Sequence, residues 1–122
     1  EHLDHEPGLL DQLLMPDTEK DMQQLFASVG AQLNEPVEGM EYAGICDIEG
    51  QDGLHIVMQQ DNQPVTIIVM PGHQLAAAKA FEKSGYKGEL VPVKGGLVAV
   101  VGDTLEQVAL AQIRFFRAVR FA

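Results

Sequence analysis

The chain has 122 residues, of which 18 are acidic and 8 basic, so its formal net charge is −10. This length supports one hydrophobic core, and a hydrophobic content of 46% excludes a disordered chain. The acidic balance argues against nucleic acid as a partner, because phosphate binding needs a basic face.

Two helices are predicted before the first strand. Apolar residues at Leu3, Leu10, Leu13 and Leu14 predict a helix over residues 1–15, which Pro7 either starts or kinks. A second helix is predicted over residues 18–29 and ends at Gly30, which can adopt the left-handed conformation of a helix stop.

Three strands follow in tandem. Runs rich in β-branched residues over 41–48, 54–60 and 64–70 alternate with Gly, Asp and Asn turn residues at 49–53 and 61–63. This pattern predicts an antiparallel three-stranded meander. Its more apolar face is expected to carry Ala43, Ile45, Leu54, Ile56 and Met58, and the helices are expected to cover that face.

The rest of the chain predicts a helix, a hairpin and a final helix. The alanine-rich residues 74–83 favour a short helix, and residues 89–93 and 97–101 favour a hairpin turning at 94–96. Pro92 places its strand at an edge or a bulge, because proline cannot donate to a ladder. Asp103 and Glu106 resemble a capping box for the last helix. Its apolar stripe is predicted to contain Leu105, Val108, Ala109, Ile113, Phe115, Phe116 and Val119, with Phe116 near the middle.

These elements predict a single α+β domain over residues 1–122. We expect a mostly antiparallel five-stranded sheet, made of the three-stranded meander plus the hairpin, covered by N-terminal helices and a C-terminal helix. The chain lacks a G-x-S-x-G elbow, a phosphate-binding glycine loop, C-x-x-C and H-E-x-x-H. We therefore predict that it is not an enzyme.

One pair of residues could carry chemistry. If the first hairpin turns about Gly50 and Gln51, Cys46 lies directly across from His55, with Cβ atoms about 5 Å apart. A thiol beside an imidazole can form a reactive thiolate or half of a zinc or copper site, which His73 could join. The helices are expected to cover the opposite face, which leaves the face of this pair at least partly accessible. The alternative is that Cys46 is a small buried hydrophobe. His2 and His5 could begin a zinc or copper site but would need two more ligands, and solvent-exposed histidines are the favoured interpretation.

Several stretches resemble a known family. Residues 2–10 (HLDHEPGLL), 42–46 (YAGIC), 54–59 (LHIVMQ) and 64–71 (PVTIIVMP) resemble an uncharacterised bacterial family whose members look like membrane-anchored anti-sigma factors. The resemblance implies that the chain is the periplasmic C-terminal domain of such a protein, tethered to the inner membrane by a segment before Glu1. The chain begins without methionine, and we expect it to be a piece of a longer protein. The resemblance carries no catalytic residues.

The expected function is therefore a non-enzymatic sensory or protein-interaction domain of a membrane-tethered regulator. It would bind a protein partner or self-associate, and would touch the membrane only through the upstream segment. The alternative is a metal- or redox-responsive module that uses Cys46, His55 and His73, with zinc or copper as the ion. No other cofactor is expected.

Overall fold

The computed structural model describes residues 19–121 of the chain. In this range the elements are two helices and eight strands. The helices are α1 (Glu19–Ala27) and α2 (Leu105–Ala118), and the strands are β1 (Ala31–Leu33), β2 (Met40–Ile48), β3 (Gln51–Gln60), β4 (Gln63–Pro71), β5 (Lys79–Lys83), β6 (Tyr86–Val93), β7 (Gly96–Gly102) and β8 (Val119–Phe121). The helix predicted over residues 1–15, with His2 and His5, lies outside the described range.

The main sheet has six strands in the order β2-β3-β4-β7-β6-β5, and every neighbouring pair is antiparallel. It consists of two three-stranded meanders, joined where β4 pairs with β7. A separate two-stranded sheet pairs β1 with β8. The mixed architecture and the antiparallel meander are confirmed, but the prediction of five strands is wrong.

The missing strand is β5, in the segment predicted to be helical. Lys79–Lys83 pairs with β6 across a two-residue turn at Ser84 and Gly85, whose φ angles are 54° and 84°. Two consecutive positive φ angles make a type I′ turn, the connection that matches the twist of an antiparallel hairpin. The alanine content favoured a helix, but pairing with β6 outweighs that weak preference.

Tight turns also set the other registers. Glu49 and Gly50 (φ 52° and 84°) connect β2 to β3, and Asp61 and Asn62 (φ 58° and 64°) connect β3 to β4. Pro92 is paired with Leu97 of β7, while β5 pairs with β6 only as far as Leu90. Pro92 therefore lies beyond the end of β5, where its missing N–H costs no ladder bond.

The core lies between one face of the main sheet and both helices. This core face carries Ala43, Leu54, Ile56 and Met58, as the sequence predicted, and strands β4 and β7 add Val65, Ile67, Val69, Val98 and Val100. Phe26 of α1 and Phe115 of α2 are fully buried against it. The Gln23 Nε2 amide donates to the Leu33 carbonyl at 2.8 Å and ties α1 to β1.

Helix α2 is rotated from its predicted orientation. Its buried face consists of Gln107, Val108, Ala111, Phe115 and Ala118. Leu105 and Ile113, both predicted to be buried, are 60% and 55% exposed, and Phe116 is only partly buried. Small alanines on the inner face let the helix lie close to the sheet, so the larger apolar residues beside them point outward.

The cap of α2 also differs from prediction by one residue. Thr104 is the N-cap, and its hydroxyl oxygen accepts from the Gln107 N–H at 3.1 Å. The Gln107 side-chain oxygen accepts in turn from the Asp103 N–H at 3.1 Å. The arrangement resembles a capping box, with Thr104 and Gln107 in the places predicted for Asp103 and Glu106, but Gln107 accepts from the N–H of the residue before the N-cap rather than from that of the N-cap itself. In residues 19–121, no helix is long and apolar enough to cross a bilayer.

Candidate functional site

The second face of the main sheet carries Cys46 and His55. We call it the cysteine face and define it by Tyr42, Cys46, His55, Val57 and Ile68, which alternate with the core-face residues along β2, β3 and β4. The two candidate residues therefore share a face, as the sequence predicted.

Their register differs from the prediction by two positions. His55 pairs with Gly44, and Cys46 pairs with Gly53, so thiol and imidazole are diagonal neighbours. Diagonal neighbours on one face are about 7–8 Å apart, against about 5 Å for residues directly opposite. The cause is the turn at Glu49 and Gly50, one position earlier than expected. A shift of two residues in the pairing keeps both side chains on the same face.

The aromatic ring of Tyr42 contacts the imidazole ring of His55 directly. The ring centroids lie 5.5 Å apart at an interplanar angle of 72°, an edge-to-face arrangement. Tyr42 is 5% exposed, and Cys46 and His55 are each 7% exposed. The expectation that this pair would be partly accessible is therefore wrong.

The electrostatics around Cys46 favour the neutral thiol. Burial raises the pKa of the Cys46 thiol, and the carboxylates of Asp47 and Asp52 raise it further. Asp47 and Asp52 lie directly opposite one another in the β2–β3 pair. Burial also raises the pKa of Tyr42, and the nearby Cys46 adds to the effect. A reactive thiolate needs a lowered pKa, so this environment works against nucleophilic use of Cys46.

His73 lies just after β4, near the turn between β2 and β3. Its Nε2 atom is 3.5 Å from Glu49 Oε1, and its Nδ1 atom is 3.4 Å from the Pro71 carbonyl oxygen. Within residues 19–121, no three His, Cys, Asp or Glu side chains form a group that could hold a metal ion. The metal site built on Cys46, His55 and His73 stays a prediction.

A different surface emerges on α2. Leu105, Ala109 and Ile113 repeat every four residues along its solvent side and are exposed, and we call them the α2 stripe. Leu110, 36% exposed, lies beside it. The sequence analysis predicted that Leu105, Ala109 and Ile113 belong to the buried stripe of this helix. The sequence signal that could have identified the buried face of the helix is the pair of small residues Ala111 and Ala118, which lie on the opposite side from the α2 stripe.

Comparison with known proteins yields one match. A family model described as protein of unknown function (DUF3379) matches residues 1–117. No curated protein matches the chain, and no solved structure matches it.

Proposed function

The chain belongs to the DUF3379 family, described as proteins of unknown function, and we propose that it is a non-enzymatic protein-interaction domain of a membrane-tethered, anti-sigma-like regulator. The α2 stripe carries this proposal. Apolar side chains that gather on one exposed helix face mark interaction surfaces more often than scattered ones do. Leu105 and Ile113, each more than half exposed, lie on the same side of one helix.

The occupant we propose for the stripe is a second copy of the chain. Leu105 and Ile113 lie four residues to either side of Ala109, so the stripe is symmetric about a small residue. An antiparallel pair of α2 helices related by a two-fold axis at Ala109 would bring Leu105 of each copy against Ile113 of the other. A two-fold interface requires such a self-complementary patch, and the small central residue allows close approach of the two helices.

Sedimentation equilibrium of the 122-residue chain over a concentration series tests this pairing. We expect a concentration-dependent dimer, which the Ile113→Ser and Leu105→Ser variants would convert to monomer. The matched control is Tyr86→Ser, which removes a side chain that is 53% exposed on β6 and lies near Asp103, before the start of α2 and outside the α2 stripe. A wild-type chain that stays monomeric at millimolar concentration would contradict the proposal, as would equal loss of dimer in the control.

We propose that the domain lies in the periplasm, tethered to the inner membrane by an upstream segment. The support is the resemblance of residues 42–46, 54–59 and 64–71 to membrane-anchored anti-sigma-like proteins. Protease treatment of spheroplasts expressing the full-length protein with a C-terminal tag tests the location. The tag should be lost when protease is added outside the inner membrane, and its retention would contradict a periplasmic domain.

A metal- or redox-responsive module is the second candidate. It is favoured by the common face of Cys46 and His55, and opposed by their burial and by the raised pKa of the thiol. Calorimetric titration of the reduced chain with Zn²⁺ distinguishes a metal-responsive module from a domain that binds only protein. Saturable binding that is lost in Cys46→Ala and weakened in His55→Ala would support a metal module. Binding that is unchanged in Cys46→Ala would exclude Cys46 as a ligand.

A further inference from the structure

A cavity of about 330 Å³ lies where the end of α2 meets the β6–β7 turn. Three cationic side chains line it, from Lys94 in the turn, Arg117 in the last turn of α2 and Arg120 in β8. Phe116 and Phe121 supply aromatic walls, and Asn34 supplies an amide. We call this the basic cavity. It lies at the C-terminal end of α2, past the α2 stripe, so it is a separate feature from the proposed dimer surface.

The charges in the basic cavity are not neutralised by the described chain. Carboxylates lie within ion-pair distance of His73, Lys87 and Arg114. Among the described residues, no carboxylate lies within that distance of Lys94, Arg117 or Arg120. Three cations that have no ion-pair partner in the described part of the chain thus line one cavity of a protein whose net charge is −10.

The helix dipole does not explain this cluster. The carbonyl end of a helix is equivalent to about half a negative charge, which one cation such as Arg117 can balance. Lys94 and Arg120 therefore leave excess positive charge at the cavity. Clustered charges of one sign in a concave surface focus the field and attract counter-ions of opposite sign.

The two phenylalanine rings that line the cavity indicate the kind of uncharged group that a ligand would carry there. The Phe116 and Phe121 ring centroids are 6.3 Å apart at an interplanar angle of 55°, and both residues are partly buried. Tilted rings at this spacing can pack against the flat body of a ligand, while guanidinium groups hold a carboxylate or phosphate through paired hydrogen bonds.

We propose that the basic cavity binds a small anion that joins a carboxylate or phosphate to an aromatic or similarly flat apolar body. Its volume fits the lower end of the range for small-molecule sites, about 300–1,000 Å³. Arg117 and Arg120 hold the oxyanion, Lys94 adds a mobile positive charge, and the two phenylalanines contact the body.

Titration calorimetry with phenyl phosphate, inorganic phosphate and benzyl alcohol tests this proposal. Phenyl phosphate should bind several-fold more tightly than inorganic phosphate, because the rings contact only the former. Benzyl alcohol, which has the ring without the charge, should bind more weakly than phenyl phosphate. In the Arg117→Gln/Arg120→Gln double variant, affinity for phenyl phosphate should fall roughly tenfold or more, because charge-assisted hydrogen bonds are lost.

The control is the Lys79→Gln/Lys83→Gln double variant. It removes the same charge from two exposed lysines of β5 that do not line the cavity and that have no carboxylate within ion-pair distance among residues 19–121. This control should bind phenyl phosphate like the wild type. An equal loss of affinity in both double variants would show that binding of phenyl phosphate depends only on the net charge of the protein, and would overturn the proposal. Absence of saturable binding by wild type up to tens of millimolar would overturn it as well. Circular dichroism of both variants establishes that they are folded.

Discussion

Cys46 lies directly across the β2–β3 pair from Gly53, so the thiol faces a residue without a side chain rather than the imidazole of His55. A Cβ at Gly53 would lie 2.5 Å from Ile48 Cδ1 and 2.8 Å from the Val69 carbonyl oxygen. A side chain at position 53 would therefore clash with its neighbours, which explains why glycine lies opposite the cysteine. Cys46 itself is buried, with 7% of its surface exposed.

The first prediction concerns the reactivity of this thiol. Cys46 should react slowly with a thiol reagent at pH 7 in the folded chain, because it is buried and its raised pKa keeps it protonated. The rate should increase strongly in denaturant, where the thiol is exposed. His55→Ala should not slow the reaction of the folded chain. Fast labelling of wild type that slows in this variant would instead support the metal- or redox-responsive module.

The second prediction concerns alkaline pH. The folded chain holds the protons of Cys46 and Tyr42 more tightly than the unfolded chain, because both pKa values are raised. Their stabilising contribution is complete below the ordinary thiol pKa of about 8.5 and is lost as pH rises through the folded-state value. The free energy of unfolding should therefore fall between pH 7 and pH 10 in urea melts.

The Cys46→Ala variant isolates the contribution of the thiol. Its free energy of unfolding should fall less steeply over the same pH interval than that of the wild type. A wild-type stability that rises toward pH 10, or an unchanged slope in Cys46→Ala, would show that the thiol titrates alike in the folded and unfolded chains.

The third prediction compares two adjacent phenylalanines. Phe115 is fully buried, and its ring contacts Phe116 and Phe121 at centroid distances of 5.2 and 6.4 Å. Phe115→Ala should cost about 3–5 kcal/mol, the usual range for a fully buried phenylalanine. Phe116, which we had expected to be central from the sequence, is partly buried, so Phe116→Ala should cost clearly less. Equal losses in urea melts would place both rings equally deep in the core.

The fourth prediction compares two glycines with the same backbone conformation. Gly39 and Gly85 both have φ of 84°, but a Cβ at Gly39 would lie 2.7 Å from the Gln59 carbonyl oxygen, whereas one at Gly85 would meet nothing within 4 Å. Gly85→Ala should cost about 1 kcal/mol for the left-handed backbone alone. Gly39→Ala should cost more, because it must also displace a carbonyl that accepts from Arg114 Nη1. Similar melting temperatures for the two variants would contradict the close approach of the Gln59 carbonyl oxygen to Gly39.

The fifth prediction tests the helix cap. Thr104→Ala should destabilise the chain by about 1 kcal/mol, because the Gln107 N–H loses its acceptor. Asp103→Ala should have a smaller effect, since Asp103 takes part through its backbone N–H rather than its carboxylate. A larger loss in the Asp103 variant would move the cap back to the position predicted from the sequence.

The sequence predicted the meander well because its strands are long β-branched runs with one strongly apolar face. Leu54, Ile56 and Met58 could belong only to the core, whatever the register. The register itself was less determined, because residues 49–53 contain glycines at both Gly50 and Gly53, and either could have supplied a positive φ. The turn uses Gly50, which leaves Gly53 inside β3 and Cys46 opposite it.

The buried face of the last helix and the strand β5 are features for which the sequence pattern gave the wrong prediction. A helical wheel gives weight to large apolar residues, so it placed Leu105 and Ile113 inside and overlooked Ala111 and Ala118. Which flank of an amphipathic helix is buried depends on how closely it approaches the sheet, and that is a tertiary property. The basic cavity could not be predicted from the sequence either, because Lys94 lies more than 20 residues from Arg117 and Arg120 in the chain.

The two-stranded sheet has a mechanical consequence. Ala31 pairs with Phe121 and Leu33 with Val119, so the chain enters β1 and leaves β8 at the same end of a three-residue ladder. Tension applied between these two points would load the hydrogen bonds one after another, as in opening a zipper, rather than all together in shear. This small sheet should therefore yield at low force, before the six-stranded sheet is strained. A pull between these two points would first separate β1 from β8 and release the end of α2, next to the three cations of the basic cavity.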